Sequence, residues 1–439
     1  MIWVVLFHTI IFLLFWLTNL SFQQGVNAFL ADITGLKVNF LLLFILFSLA
    51  VGAWSMVRLA LRRNSRKAGP PWLYHATGWV YLIFFYGSFT ILFIKNPVQV
   101  DRLGQLFQYF RIFFDAAALF LLAWAVRCLP KKASKTWQKG MLIGGLLLFW
   151  LVPVFWTPGA VTPGALPEKP LLIAHRGASM LAPENTLASM QTAADMGVYG
   201  LETDITMSYD GTLFLMHDPT LARTTNIEQV FPDRANNPAD RFTWRELQQL
   251  DAGQGESIPA LTEMLDVVSE NQLHLIYDLR IPPAAHPYAE QTLDLCLAEI
   301  KSSGAASMTW VLASHEEIPA VRATLPEAVL AAGIEYDNAP PPGDLVAEGY
   351  LLVNSESGLS NRMIHDYQVA GLWVNLWTVD EPWQYSRLWL VGADSVTSNN
   401  IQGLIALSRP VMAMTYSLYL VIWGLAGILA GVLVAIRLK

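Results

Sequence analysis

The chain has 439 residues, of which 54% are hydrophobic and 14% charged, with a formal net charge of −7. So apolar a composition excludes an ordinary soluble protein. The charge is also unevenly spread. Residues 158–408 hold 32 of the 35 acidic side chains and 11 of the 28 basic ones, a formal −21 against +14 for the rest.

In chain order, apolar runs occupy 2–20, 38–60, 73–94, 109–126 and 140–157, and a sixth covers 411–436. Each has about the length a helix needs to cross a ~30 Å hydrocarbon core. The first lacks the basic n-region and small-residue cleavage site of a signal peptide and reads as a retained helix. The second link carries Arg58, Arg62, Arg63, Arg66 and Lys67, and the fourth carries Arg127, Lys131, Lys132, Lys135 and Lys139. The positive-inside rule places both links, and hence both termini, in the cytoplasm, and the acidic stretch between the fifth and sixth runs outside. Arg111 and Asp115, four apart in the fourth run, read as a structural ion pair. Gly427 and Gly431 give a small-xxx-small spacing that predicts close helix packing in the last run.

Cys128 and Cys296 fall on opposite sides of the expected membrane and cannot pair, and the acidic stretch has no Asn-x-Ser/Thr acceptor. Both absences lean towards a bacterial plasma membrane. A surface this acidic predicts no nucleic-acid partner. The sequence is silent on oligomeric state.

A Pro-rich spacer, 158–169, leads into the outer stretch. There, short apolar runs at 171–174, 199–205, 273–279, 308–313, 328–332, 350–354, 372–377 and 394–397 predict strands. Helix-like segments at 186–196, 261–270, 289–301 and 382–390 lie among them. Strand-then-helix alternation of this kind predicts a (β/α)8 barrel over 170–405, followed by the sixth span at 410–437. The expected fold is thus a membrane α-helical bundle of six transmembrane helices (five of them in 1–157) plus a TIM-type α/β barrel. One element breaks the alternation: SYDG at 208–211 reads as a tight turn and TLFLMH at 212–217 as a returning hairpin strand.

Working residues in such barrels sit at the C-terminal strand ends. Here the first strand ends in His175-Arg176-Gly177, and the second carries Glu202 and Asp204 on one side by period-2 alternation. The hairpin ends in His217-Asp218, and the third main strand in Asp278-Leu279-Arg280. Taken singly, each has a plain structural reading as a turn or a solvated strand edge. Taken in order at consecutive strand ends they reinforce one another. Three carboxylates suit a hard cation, calcium or magnesium. Two histidines suit a general acid and a general base. Arginine suits a phosphate, because its planar fork donates two hydrogen bonds at once. The set reads as metal-assisted cleavage of a phosphodiester. Trp377, at a later strand end, either stacks on the alcohol group or packs the barrel mouth.

The stretches HRGASMLAPENTLAS, GLETDITMSYDGTLFLMHD and WTVDEPWQYSRLWLVGADSVTSN resemble the glycerophosphodiester phosphodiesterase family. Its pattern runs HRG, PENT, ExD, HD, an acidic-x-basic strand end, then WTV followed by GxDxxxTD. On LMHDPTLARTTNIEQVFP, FTWRELQQLDAG and LIYDLRIPP the likeness is closer to the six-transmembrane branch known from animals. The resemblance covers about 170–402. It implies His175 and His217 as the acid/base pair, Arg176 as a phosphate ligand, and Glu202, Asp204 and Asp278 as ligands of a calcium or magnesium ion. It further implies release of glycerol 3-phosphate, or an equivalent phosphomonoester, and an alcohol. Arg280 and Trp377 are the remaining candidates for substrate contact. This chain departs from the family pattern in Asp278 for Glu, Arg280 for Lys, and Ser398-Asn399 for the late TD. Two alternatives stay open: a lipid or glycolipid anchor cleaved on the same fold, and a barrel that only binds a ligand as a receptor or scaffold.

Overall fold

The computed structural model describes residues 104–128, 136–336 and 338–438, plus a few isolated positions nearer the N-terminus. The chain divides into two compact units, 1–165 with 412–439, and 166–411.

In the first unit the three later apolar runs form helices Arg111–Cys128, Thr136–Phe155 and Tyr416–Leu438. The runs at 2–20, 38–60 and 73–94 and the basic link 58–67 lie outside the continuously described residues. Among the described residues one segment, Tyr416–Ile436, is long and apolar enough to cross a membrane, and Ile143–Phe155 is a shorter apolar helix. A six-helix bundle is therefore more than these helices establish. Their shared core holds Ile112, Leu119, Ala123, Tyr419, Trp423, Ala430 and Val434. Trp150 Nε1 donates to Trp423 O at 3.1 Å and Trp423 Nε1 returns a bond to Trp150 O at 2.8 Å. Pro153 lies inside its helix, and the Tyr419 and Tyr416 hydroxyls donate to the Pro153 and Val154 carbonyls, both at 3.1 Å. Carbonyls at a helix end need such donors wherever water is excluded. Arg111 pairs with Asp115 at 3.1 Å. Gly427 packs against Trp150, whose Cδ1 would stand 2.9 Å from an added Cβ, whereas among the described residues nothing lies within 4 Å of one at Gly431. The expected pair of contact glycines reduces to one among the described residues.

In the second unit the strands are β1 (Leu171–His175), β2 (Gly200–Met207), β3 (Leu213–Leu215), β4 (His274–Leu279), β5 (Thr309–Leu312), β6 (Val329–Ile334), β7 (Leu352–Glu356), β8 (Trp373–Trp377) and β9 (Ser395–Ser398). All but β3 pair in parallel, and β1 bonds to both β2 and β9, so eight strands close into a barrel. β3 pairs antiparallel with β2 as the expected hairpin. Helices α1 (Leu187–Asp195), α2 (Leu261–Asn271), α3 (Thr292–Ser303), α4 (Ile318–Thr324), α5 (Pro342–Glu348), α6 (Asn361–Val369), α7 (Pro382–Val391) and α8 (Ile401–Ile405) follow the strands. This is the TIM-type barrel the alternation predicts.

Strand parity sorts the side chains into two cores. Leu172, Ala174, Leu201, Leu275, Val311, Leu330, Val353, Val374 and Val396 belong to the layer shared with the helices. Ile173, Ile276, Trp310, Ala331 and Leu352 form a separate cluster inside the barrel. Residues two further along from Ile173 and Ile276 are His175 and Asp278, which therefore project to the barrel interior at the mouth. Below them Asn375 donates to Asn354 Oδ1 (2.7 Å) and Thr397 Oγ1 (2.9 Å) and accepts from Ser395 Oγ (2.8 Å). A buried polar layer of this kind is tolerated because its members are mutually satisfied.

β3 serves two cores at once. Leu213 and Leu215 pack into the barrel layer, while Phe214 and Met216 pack with Leu221, Ile227, Phe242, Leu247, Leu250 and Ile258. The second group is the core of an insertion between β3 and α2. The insertion has only short helices, Ile227–Val230 and Trp244–Leu247. Arg234 sits 4.1 Å over the Phe242 ring and binds Glu246 at 2.6 Å, closing one side of it.

Candidate active site

β1 stops at Arg176 because its backbone turns left-handed there (φ 56°) and stays so at Gly177 (φ 78°). A non-glycine residue in that region costs on the order of 1–3 kcal/mol, so the surroundings must hold it. They do: Arg176 N–H donates to Glu202 O at 2.8 Å and to Glu202 Oε2 at 3.2 Å. Its carbonyl accepts from Asn185 N at 3.1 Å and Ser189 Oγ at 3.1 Å. A side chain on Gly177 would meet the Ser189 backbone at 2.7 Å, so the turn needs glycine. Thr186 caps α1 by accepting from Ser189 N, so the ENT of the sequence opens that helix and turns Glu184 and Asn185 towards the mouth.

Strand register sets the acids side by side. His175 lies opposite Glu202, and Asp204 opposite Asp278. His175 Nε2 is 3.7 Å from Glu202 Oε2, and Nδ1 is 2.7 Å from Asn399 Oδ1. Burial and the neighbouring Arg176 guanidinium hold the His175 imidazole below its usual range. Burial and the Asp204 charge push the Glu202 carboxyl well up, with Asp278 adding to the repulsion. Burial also raises Asp278, against the Arg280 charge.

Asp204 is buried and accepts from Asn185 Nδ2 at 3.1 Å. It pairs with Arg176 Nε at 3.1 Å and Arg280 Nη2 at 3.2 Å. The same Nη2 reaches Asp278 Oδ2 at 3.3 Å. The three acids expected to hold a cation are thus close enough to raise Glu202 and Asp278 together, and here arginines supply the balancing charge. Among the described residues no group of three or more His, Cys, Asp or Glu side chains stands in metal-ligating geometry. The donor set nevertheless fits a hard cation, since every donor is a carboxylate oxygen and the site calls for positive charge.

His217 lies beyond β3, its Nδ1 2.7 Å from Asp218 Oδ1. Asp218 and Glu184 are both held by Arg223 of the insertion. Arg223 Nη2 donates to Asp218 Oδ1 at 2.9 Å and Glu184 Oε1 at 2.7 Å, and Nη1 to Glu184 Oε2 at 2.7 Å. Glu184 Oε1 in turn takes Arg176 Nη1 at 2.9 Å. Hydrogen bonds from Arg223 hold the Asp218 carboxyl far below its usual range. Glu184 ends lower too, since the Arg223 and Arg176 bonds outweigh a burial that would raise it.

Trp377 ends β8 opposite Glu356 in register, and its indole Nε1 is buried with no hydrogen-bond partner among the described residues. The fold therefore brings His175, Arg176, Glu202, Asp204, Asp278 and Arg280 into one contact network. Through Arg176, Glu184 and Arg223 that network reaches Asp218 and His217. Sequence reading missed Glu184, Asn185 and Arg223, and also Asp380, whose carboxylate accepts from Asn399 N at 2.8 Å and Nδ2 at 2.9 Å. In the sequence Glu184 and Asn185 stood only as part of PENT, just ahead of the helix-like segment at 186–196, and Arg223 lies in a segment with no strand periodicity.

The model of the glycerophosphoryl diester phosphodiesterase family matches residues 175–402, just over half of the chain. A glycerophosphodiester phosphodiesterase domain-containing protein 5 of Gallus gallus is 34% identical over 336 residues, covering 70% of this chain and 55% of that one. The glycerophosphoinositol inositolphosphodiesterase of Homo sapiens is 33% identical over 341 residues, covering 70% and 61%. Among solved structures, an Oleispira antarctica phosphodiesterase in complex with the product sn-glycerol-3-phosphate is 26% identical with a TM-score of 0.48, covering 54% of this chain and 97% of that one. The chain spans a little over half the length of the animal relatives it matches. The stretch that matches the family model begins at the first strand end of the mouth and runs past the last, and the chain belongs to the glycerophosphoryl diester phosphodiesterase family.

Proposed function

We propose that the barrel hydrolyses a glycerophosphodiester to a phosphomonoester, such as glycerol 3-phosphate, and an alcohol. The observation that carries this reading is the pair of imidazoles, each with Nδ1 on an oxygen acceptor, joined by one arginine–carboxylate network. A barrel that only bound a ligand has no use for two rings oriented this way. One histidine takes the proton from the nucleophile, water or a substrate hydroxyl, as its oxygen bonds to phosphorus, and the other gives a proton to the leaving alkoxide as its P–O bond breaks; where a substrate hydroxyl attacks, water then opens the cyclic phosphate to the monoester. Glu202, Asp204 and Asp278 would hold a divalent cation, calcium before magnesium, which when bound supplies charge neutralisation at the phosphate. Arg176 and Arg280 orient the phosphate oxygens as their carboxylate partners turn to the cation. Trp377 offers its ring and its unpartnered N–H to the alcohol portion.

The apolar outer faces of the helix Tyr416–Leu438, with Leu425, Ile428 and Leu429 largely exposed, support a membrane-embedded first unit. With the charge asymmetry of the sequence they favour six spans, cytoplasmic termini and an extracytoplasmic barrel in a plasma membrane. A second reading, cleavage of a bilayer lipid, draws on Met180, Leu181 and Ile281, exposed apolar residues on the loops after β1 and β4. Purified full-length protein assayed on glycerophosphocholine tests the first reading. His175→Ala and His217→Ala should each abolish turnover, and activity retained in either variant overturns it. Greater turnover of lysophospholipid vesicles than of the soluble diester would favour the second.

A further inference from the structure

Asn399 follows directly on β9, at the position where the family pattern carries an aspartate. Its side chain is committed at both ends. Oδ1 stands 2.7 Å from His175 Nδ1 and accepts from Ser179 Oγ at 3.1 Å. Nδ2 donates to Asp380 Oδ2 at 2.9 Å, and the Asn399 backbone N–H donates to Asp380 Oδ1 at 2.8 Å. Asp380 is buried, 6% exposed, and also accepts from Ser398 Oγ at 3.2 Å.

The orientation of the amide follows from this arrangement. An amide NH2 can only donate and its oxygen only accept. With both Asp380 oxygens accepting, the NH2 must face Asp380, and the oxygen is left for His175. A ring nitrogen facing an acceptor must carry a hydrogen, so His175 holds its proton on Nδ1. The lone pair is then on Nε2, the nitrogen turned towards Glu202.

We propose that Asn399, held by Asp380, is the positioning residue of His175: it fixes the ring plane and the Nδ1–H tautomer, so that Nε2 is presented to the substrate as a proton acceptor. The negative charge that the family pattern has at this position is set one residue further from the ring. The inference rests on the phosphodiesterase reading for its consequence, but the tautomer can be observed without turnover.

The test uses the full-length chain in detergent with glycerophosphocholine as probe. In Asp380→Asn two NH2 groups compete, the Asn399 amide turns over, and a donor faces His175. Asn399→Asp sets two carboxylates against each other. The double variant Asn399→Asp/Asp380→Asn restores one acceptor to His175 and one donor between the pair. Each single variant should lower kcat about 100-fold with KM within about 3-fold, and the double should recover to within about 10-fold of wild type, as expected for a wrong-tautomer defect. Singles within about 3-fold of wild type, or a double no better than the singles, would overturn the proposal. Nitrogen NMR of 15N-histidine-labelled protein, assigned by difference from His175→Ala, should show Nδ1–H in wild type and a mixed tautomer in Asn399→Leu. An Nε2–H wild type overturns the proposal whatever the activity. An Nδ1–H wild type that leaves the diester intact overturns the phosphodiesterase reading and leaves this one standing.

Discussion

Arg223 and Glu184 form a bidentate pair, Nη1 to Oε2 and Nη2 to Oε1 both at 2.7 Å, and the same guanidinium holds Asp218. One side chain of the insertion therefore braces the carboxylate under Arg176 and the carboxylate under His217. Removing it should cost chemistry more than stability, because the Arg223 side chain is 48% exposed and ion pairs with an exposed partner add at most about 1 kcal/mol to folding. Arg223→Ala and Arg223→Lys should each lower kcat/KM about 10- to 100-fold, as supporting contacts around reactive groups do, since lysine cannot make two forked pairs. Kinetics within about 3-fold of wild type for Arg223→Ala would sink this account.

The same network sets an acid limit. Glu184 and Asp218 both have carboxyls held below their ordinary values, so their contribution to stability is complete above about pH 4.5 and is lost as pH falls through the folded-state values. The melting temperature of wild type should fall steadily below about pH 4.5, and that of Arg223→Ala should fall less steeply. Parallel curves for the two proteins would count against it.

Asn185 holds Asp204 through Nδ2 and accepts from Thr203 Oγ1 at 2.8 Å, in a left-handed backbone at φ 55°. Asn185→Gly keeps the backbone and drops both bonds. It should raise the cation concentration for half-maximal activity about 10- to 100-fold, the usual size of losing a ligand's supporting partner. Titration with calcium, then magnesium, after chelation reads this directly, and chelated wild type should be inactive.

Gly177→Ala should damage the fold itself. The added methyl meets the Ser189 backbone in a left-handed turn, a combination that costs about 2 kcal/mol or more. In a domain this size that lowers Tm by about 4 °C or more, measurable by thermal unfolding. An unchanged Tm would mean the turn relaxes.

What the sequence exposed and what it hid divide along physical lines. The eight barrel strands were legible as short apolar runs because the fold buries both of their faces, and turn residues such as SYDG at 208–211 punctuate the runs. The candidate acids and histidines were legible for the same reason, as polar residues where that pattern ends. Periodicity carries no information about long-range side-chain pairing. The bond from Asn399 to His175 spans 224 positions, and that from Arg223 to Glu184 spans 39. Glu184 stood next to the helix-like segment at 186–196, which says where its backbone lies and nothing about its carboxylate. Spacing marked the helix face of Gly427 and Gly431 without saying what lies against it, and among the described residues that is Trp150 at Gly427.

β3 has two buried faces, with Leu213 and Leu215 on one and Phe214 and Met216 on the other. His217 and Asp218 follow on that strand directly. The insertion is consequently no ornament that an engineer might trim to reach a minimal barrel. Cutting it away would strip one side of the strand bare, and the histidine at its tip would lose its seat along with it.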